Sequence, residues 1–188
     1  MTASSPAQLR LLRTIRLDPS DTLVFDRAAE PGEWAVPGAF VFLDADPDQL
    51  AGKARVAFRS GFLGIASLGF STLVEVVSAD AQMQAAAIEE LARQLLDTFG
   101  APDLATARLA AADEFAFAAG LAEHPPGTVI AMHRSHEDGA IRETFRTLRP
   151  RAGAKPARAF AFLEVADASE DAAEDGVDLV ALARRDLP

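Results

Sequence analysis

Side chains suited to chemistry are concentrated in one stretch, His133-Arg134-Ser135-His136-Glu137-Asp138, followed closely by Arg142 and Arg146. Two histidines beside acids suggest a metal site. On a strand, however, side chains three apart point to opposite faces, so His133 and His136 cannot share one ion, and no metal is expected. Ser135, His133 and Glu137 fall on one strand face and permit a Ser-His-Glu arrangement. Positions two apart are separated by about 7 Å along a strand, too far for direct nucleophile-to-base hydrogen bonding. Nor does Ser67, in Ile65-Ala66-Ser67-Leu68-Gly69, form a glycine-flanked nucleophile elbow.

The arginines offer a different chemistry. Arg142, Arg146, Arg149 and Arg151, with Lys155 and Arg158 beyond them, place positive charge on and after one segment of an acidic chain. Guanidinium forks suit a carboxylate or phosphate ligand. The expected ligand set is Arg142 and Arg146, with His133 as a proton-transfer group and Trp34 lining the pocket. The plainer reading is favoured for the arginines: a solvated strand face paired with Glu137, Glu143 or the acidic C-terminal segment. Trp34 likewise reads more simply as a core anchor. Gly61, Gly64 and Gly69 match neither a dinucleotide fingerprint nor a phosphate loop, and no cofactor is expected.

These residues need elements to position them. Asp138-Gly139 is a type I′ turn signal between strand-like segments and predicts a hairpin over 128–148. If Glu137 faces Ala140, one hairpin face carries Ile130, Met132, Arg134, His136, Ile141, Glu143 and Phe145, with Arg134 opposite Glu143. That face has the apolar weight and should meet the core. The other carries Val129, Ala131, His133, Ser135, Arg142, Thr144 and Arg146. Further strands are expected over 9–18, 22–27, 34–43 (interrupted near Pro37-Gly38), 72–77 and 157–165. A helix capped by Asp44 or Asp46 is expected over 48–59, followed by a glycine-punctuated chain reversal over 61–70. The clearest helix spans 81–99, with Asp80 as N-cap and Gly100 past its end, and an alanine-rich helix follows from Pro102-Asp103 to before Pro125. The expected fold is α+β: a mainly antiparallel sheet of several strands packed against two or three helices. Residues 1–166 form the domain and 167–188 an acidic extension.

The extension holds seven acids against Arg184 and Arg185, half of the chain's net charge of −10. That balance argues against nucleic-acid binding, which needs clustered cations. The absence of cysteine excludes disulfides, thiolate metal sites and a cysteine nucleophile. No run of about 18 apolar residues is present to span a membrane, and residues 1–12 lack a secretory pattern. A cytoplasmic location is expected.

Three segments carry a resemblance: Glu30-Pro31-Gly32-Glu33-Trp34-Ala35-Val36-Pro37-Gly38-Ala39-Phe40, Gly61-Phe62-Leu63-Gly64, and His124-Pro125-Pro126-Gly127-Thr128 with Arg142-Glu143-Thr144-Phe145-Arg146. Together they resemble an uncharacterised bacterial protein family over Leu9 to about Val165. The resemblance implies a bacterial origin and one compact unit, and transfers no activity. Lacking a coherent catalytic pattern, the chain is expected to be a non-catalytic binding or accessory protein. Its partner would be a protein or a second copy, met through the hairpin, the alanine-rich helix or the acidic tail. The alternative is a small-molecule enzyme or sensor that holds an anion through the 133–146 hairpin.

Overall fold

In the computed structural model, described over residues 9–16, 21–150 and 162–166, the fold is α+β. Strand β1 (Arg10–Thr14) lies mid-sheet, paired antiparallel with β2 (Trp34–Val36) on one side and β5 (Leu73–Ser78) on the other. Beyond β2 come β3 (Phe62–Gly64) and β4 (Phe70–Ser71), the expected chain reversal realised as a short hairpin. Beyond β5 come β6 (Val129–Glu137), β7 (Ala140–Pro150) and β8 (Phe162–Ala166), giving the order β4-β3-β2-β1-β5-β6-β7-β8 among the described residues. The β6–β7 hairpin has the predicted register: Glu137 faces Ala140, Arg134 faces Glu143, and Asp138 and Gly139 take φ of 53° and 77°.

The sheet is not flat. β3 and β7 are five strand spacings apart, which in a plane would separate them by roughly 24 Å. The rings of Phe62 in β3 and Phe145 in β7 have centroids only 6.2 Å apart. The sheet therefore curls until its two wings face each other. Its concave face carries Leu12, Ala35, Val74, Val76, Ile130 and Met132, all buried. Leu11, Val36 and Leu63, of opposite parity, are buried too, so the sheet around β1–β3 is covered on both sides.

Among the described residues four α-helices accompany it: a single turn α1 (Asp21–Val24), α2 (Gly52–Ser60), α3 (Ala81–Asp97) and α4 (Leu104–Leu121). The caps follow the sequence. Asp80 accepts from the Met83 N–H at 2.7 Å and Asp103 from that of Thr106 at 2.7 Å, and Gly100, with φ of 73°, ends α3 and its extension. Leu91, Leu95, Ala107, Ala111, Phe115 and Ala118 bring α3 and α4 into the main core. The small residues of α4 allow a close approach. Glu89 of α3 binds Arg108 of α4 at 2.7 and 2.9 Å across the pair.

Three expected elements are corrected. Residues 22–27 are not a strand: Leu23 and Phe25, which alternation would place on one face, part company, Leu23 exposed and Phe25 buried beside Phe42, Phe58 and Phe70. Packing of Phe25 in that second cluster overrides the local pattern, and the chain meets the sheet just past the segment, at an isolated Ala28–Phe70 bridge. The strand expected over 34–43 ends at Val36. Pro37 has no N–H to give, Gly38 takes φ of 71°, and Ala39–Phe42 coil into a 3-10 turn. The helix expected over 48–59 is two pieces, a 3-10 turn Pro47–Gln49 capped by Asp46 and then α2. Leu50 stays extended, and Gly52 restarts the helix with φ of 54°. The strand expected over 157–165 is described only as β8, and the acidic 167–188 segment lies outside the described residues.

Candidate functional site

Among the described residues Arg134 is the largest side chain that the fold buries completely. Alternation along β6 aims it into the concave face, between Met132 and His136. Register sets Glu143 of β7 opposite, and Glu143 Oε1 accepts from Arg134 Nε at 2.7 Å and meets Nη2 at 2.6 Å. The remaining donors leave the hairpin. Nη1 donates to the Phe58 carbonyl at 2.8 Å, and Nη2 to the Pro37 carbonyl at 2.7 Å. The Phe58 carbonyl belongs to the last turn of α2, where helix geometry leaves acceptors without intrahelical donors. Phe42 and Phe58 present their rings to the guanidinium at 5.6 and 5.8 Å. One buried cation thus ties together β6, β7, α2 and the exit of β2.

A second carboxylate stands close by. Glu114 of α4 accepts from the Gly38 N–H at 2.8 Å. Burial pushes its carboxyl above the usual carboxylate range; the Gly38 hydrogen bond opposes that, negative Glu143 reinforces it, and Arg134 draws it back.

Arg134 also forms part of the wall of a cleft of about 340 Å³ between α2 and the hairpin tip. Arg55 and Arg59 of α2, His136, Ser135 and the two carboxylates Asp48 and Glu137 complete the parts of that wall that carry chemistry. Asp48 stands 3.3 Å from His136 Nδ1, and Arg55 donates its Nε to the Leu50 carbonyl at 2.6 Å. Glu137 is engaged from the side, by Ser135 at 2.9 Å and Arg142 at 3.4 Å. Arg59 is exposed and has no ion pair among the described residues.

The residues singled out from sequence lie elsewhere. His133, Arg142 and Arg146 are exposed on the opposite, convex face of the hairpin. Arg142 pairs with Glu137 as the plainer reading expects, and it stands about 13 Å along the strand from Arg146. Trp34 shares that face but lies three strands from β6. It is half-buried beneath the Arg13 guanidinium, 3.8 Å from its ring centroid. The structure does not gather these four into one pocket. Ser135 turns to Glu137 rather than to a histidine. The side chains of Arg149, Arg151, Lys155 and Arg158 lie outside the described residues. Among the described residues no three His, Asp or Glu side chains are grouped to hold a metal, and no helix is long and apolar enough to cross a membrane.

The cleft residues that sequence reasoning missed are Arg55, Arg59 and Arg134. Their one signal was Arg134 and Glu143 meeting on an otherwise apolar strand face. Neither a curated protein nor a solved structure matches the chain. A family model does match, over residues 9–178, past the Leu9–Val165 span of the resemblance, and the chain belongs to that family, DUF6505, a family of unknown function.

Proposed function

We propose that this protein is a non-catalytic binding protein for a small anion, a carboxylate or phosphate, held in the cleft between α2 and the β6–β7 tip. One observation carries the reading: Arg55, Arg59 and Arg134 converge on that cleft, and Arg59 has no ion pair among the described residues. Arginine forks bind both anions in a bidentate manner. Arg134 is itself neutralised by Glu143 and engaged with the Phe58 and Pro37 carbonyls, so the charge offered to the ligand is that of Arg55 and Arg59, which Arg134 positions through its bond to the end of α2. The anion of the alternative reading from sequence would then lie on the concave rather than the convex side of the same hairpin.

Calorimetric titration of the full chain with inorganic phosphate, and separately with succinate, tests this. Saturable binding of either is expected, weakened about tenfold or more when Arg55→Ala and Arg59→Ala are combined, since bonds to charged groups contribute about 1.5–3 kcal/mol each. The Arg142→Ala, Arg146→Ala pair should leave it unchanged. The reverse pattern would put the anion on the convex face, and heat-free titrations with both probes would remove the reading.

A second reading, self-association, is favoured by the outer face of α4, where Leu109 is 70% and Phe117 48% exposed. A monomer in sedimentation equilibrium at high protein concentration would overturn it.

A further inference from the structure

Glu143 also lines a second cavity, of about 330 Å³, between the concave face of the hairpin and the end of α4. Its strand wall follows from register. Ile130 stands opposite Thr147, and Phe145 and Glu143 follow at alternate positions of β7, so their side chains share one face. Gly120 and Leu121 in the last turn of α4, with His124 just beyond, complete the lining.

The charge of this lining has one sign. Both Arg134 contacts fall on Glu143 Oε1, which leaves Oε2 without a partner among the described residues. The negative end of α4 is here, and no basic residue occupies its last turn. The Ala122 N–H turns back to the Ala118 and Ala119 carbonyls, so those of Gly120 and Leu121 keep acceptor capacity. His124 has no hydrogen-bond partner among the described residues, and a neutral imidazole offers one nitrogen as an acceptor. Beside these acceptors stand the apolar surfaces of Ile130, Leu121 and Phe145.

We propose that this cavity binds a small organic cation: a primary ammonium on a short apolar or aromatic body. Its three N–H donors would meet Glu143 Oε2, the end of α4 and His124, while its body lies on Phe145 and Ile130. The site is separate from the anion cleft, on the other side of the Arg134–Glu143 pair, and does not depend on that cleft being occupied.

The test is a titration of the 15N-labelled full chain with benzylammonium, following the amides of Gly120, Leu121 and Phe145 by NMR, with benzyl alcohol as the uncharged control. Saturable shifts at those amides are expected for benzylammonium. Benzyl alcohol should bind about tenfold more weakly or worse, the loss that goes with a charge-assisted hydrogen bond. Glu143→Gln keeps an acceptor for Arg134 and should weaken benzylammonium by a similar factor. If that variant does not fold, Gly120→Leu replaces it, because a Cβ there meets nothing within 4 Å and the added side chain narrows the cavity. No saturable shift, equal binding of the alcohol, or benzylammonium binding undiminished in whichever folded variant is read would each overturn the proposal.

Discussion

A guanidinium withdrawn from water loses several kcal/mol of hydration, and Arg134 recovers it through a carboxylate, two carbonyls and two aromatic faces. Removing either partner would strand the other charge. Glu114 sits at the margin of this arrangement, with a carboxyl held above its ordinary range chiefly by burial. The folded state therefore binds the Glu114 proton more tightly than the unfolded chain does. Its contribution to stability is complete below the unfolded carboxylate range and is lost as pH rises through the higher folded value. Glu114→Gln keeps an oxygen for the Gly38 N–H and has no proton to lose. Urea unfolding measured from pH 4 to 8 should show the wild type losing stability relative to this variant as pH rises. A difference that stays constant with pH would mean that burial does not raise the Glu114 carboxyl above its unfolded value.

Local chemistry made some elements legible from sequence and left others obscure. The β6–β7 hairpin and the two long helices were readable because what decides them lies within each element: an Asp138-Gly139 turn, Asp80 and Asp103 caps, and apolar residues at helical spacing. Residues 22–27 and 37–43 were misread because their deciding contacts are distant, Phe25 among Phe42, Phe58 and Phe70, and the Gly38 N–H on Glu114, 76 positions away. The site divides in the same way. The Arg134–Glu143 pair follows from hairpin register, whereas its link to Phe58, also 76 positions away, and the approach of Arg55 and Arg59 depend on where α2 docks. Glycine at position 69 shows how tightly one such distant approach is made: a Cβ there would lie 2.5 Å from the carbonyl carbon and oxygen of Ala28. Gly69→Ala must push the 28–29 backbone off β4, and a loss of about 2 kcal/mol or more is expected by urea denaturation. Gly120→Ala, with open space around the added methyl, should lose nothing. Equal effects of the two would show that the Ala28–Phe70 bridge contributes little.

At the level of the whole molecule the curl of the sheet decides what the chain can bind. A flat sheet would leave Arg134 and Glu143 on an open surface. The curl brings α2, which leads into β3 near one edge, against β6 near the other. The cleft exists because of that meeting. The Phe62–Phe145 contact lies between the same two wings and reports directly on it. Phe62→Leu and Phe145→Leu, singly and together, form a double-mutant cycle in which the other neighbours of Phe145, Phe117 among them, cancel. Facing rings should give a coupling of about 0.5–1.5 kcal/mol by urea denaturation. A coupling indistinguishable from zero would mean that β3 and β7 do not meet in solution. In that case α2 would have no reason to lie over β6, and the arginines it contributes would not be held beside the hairpin tip.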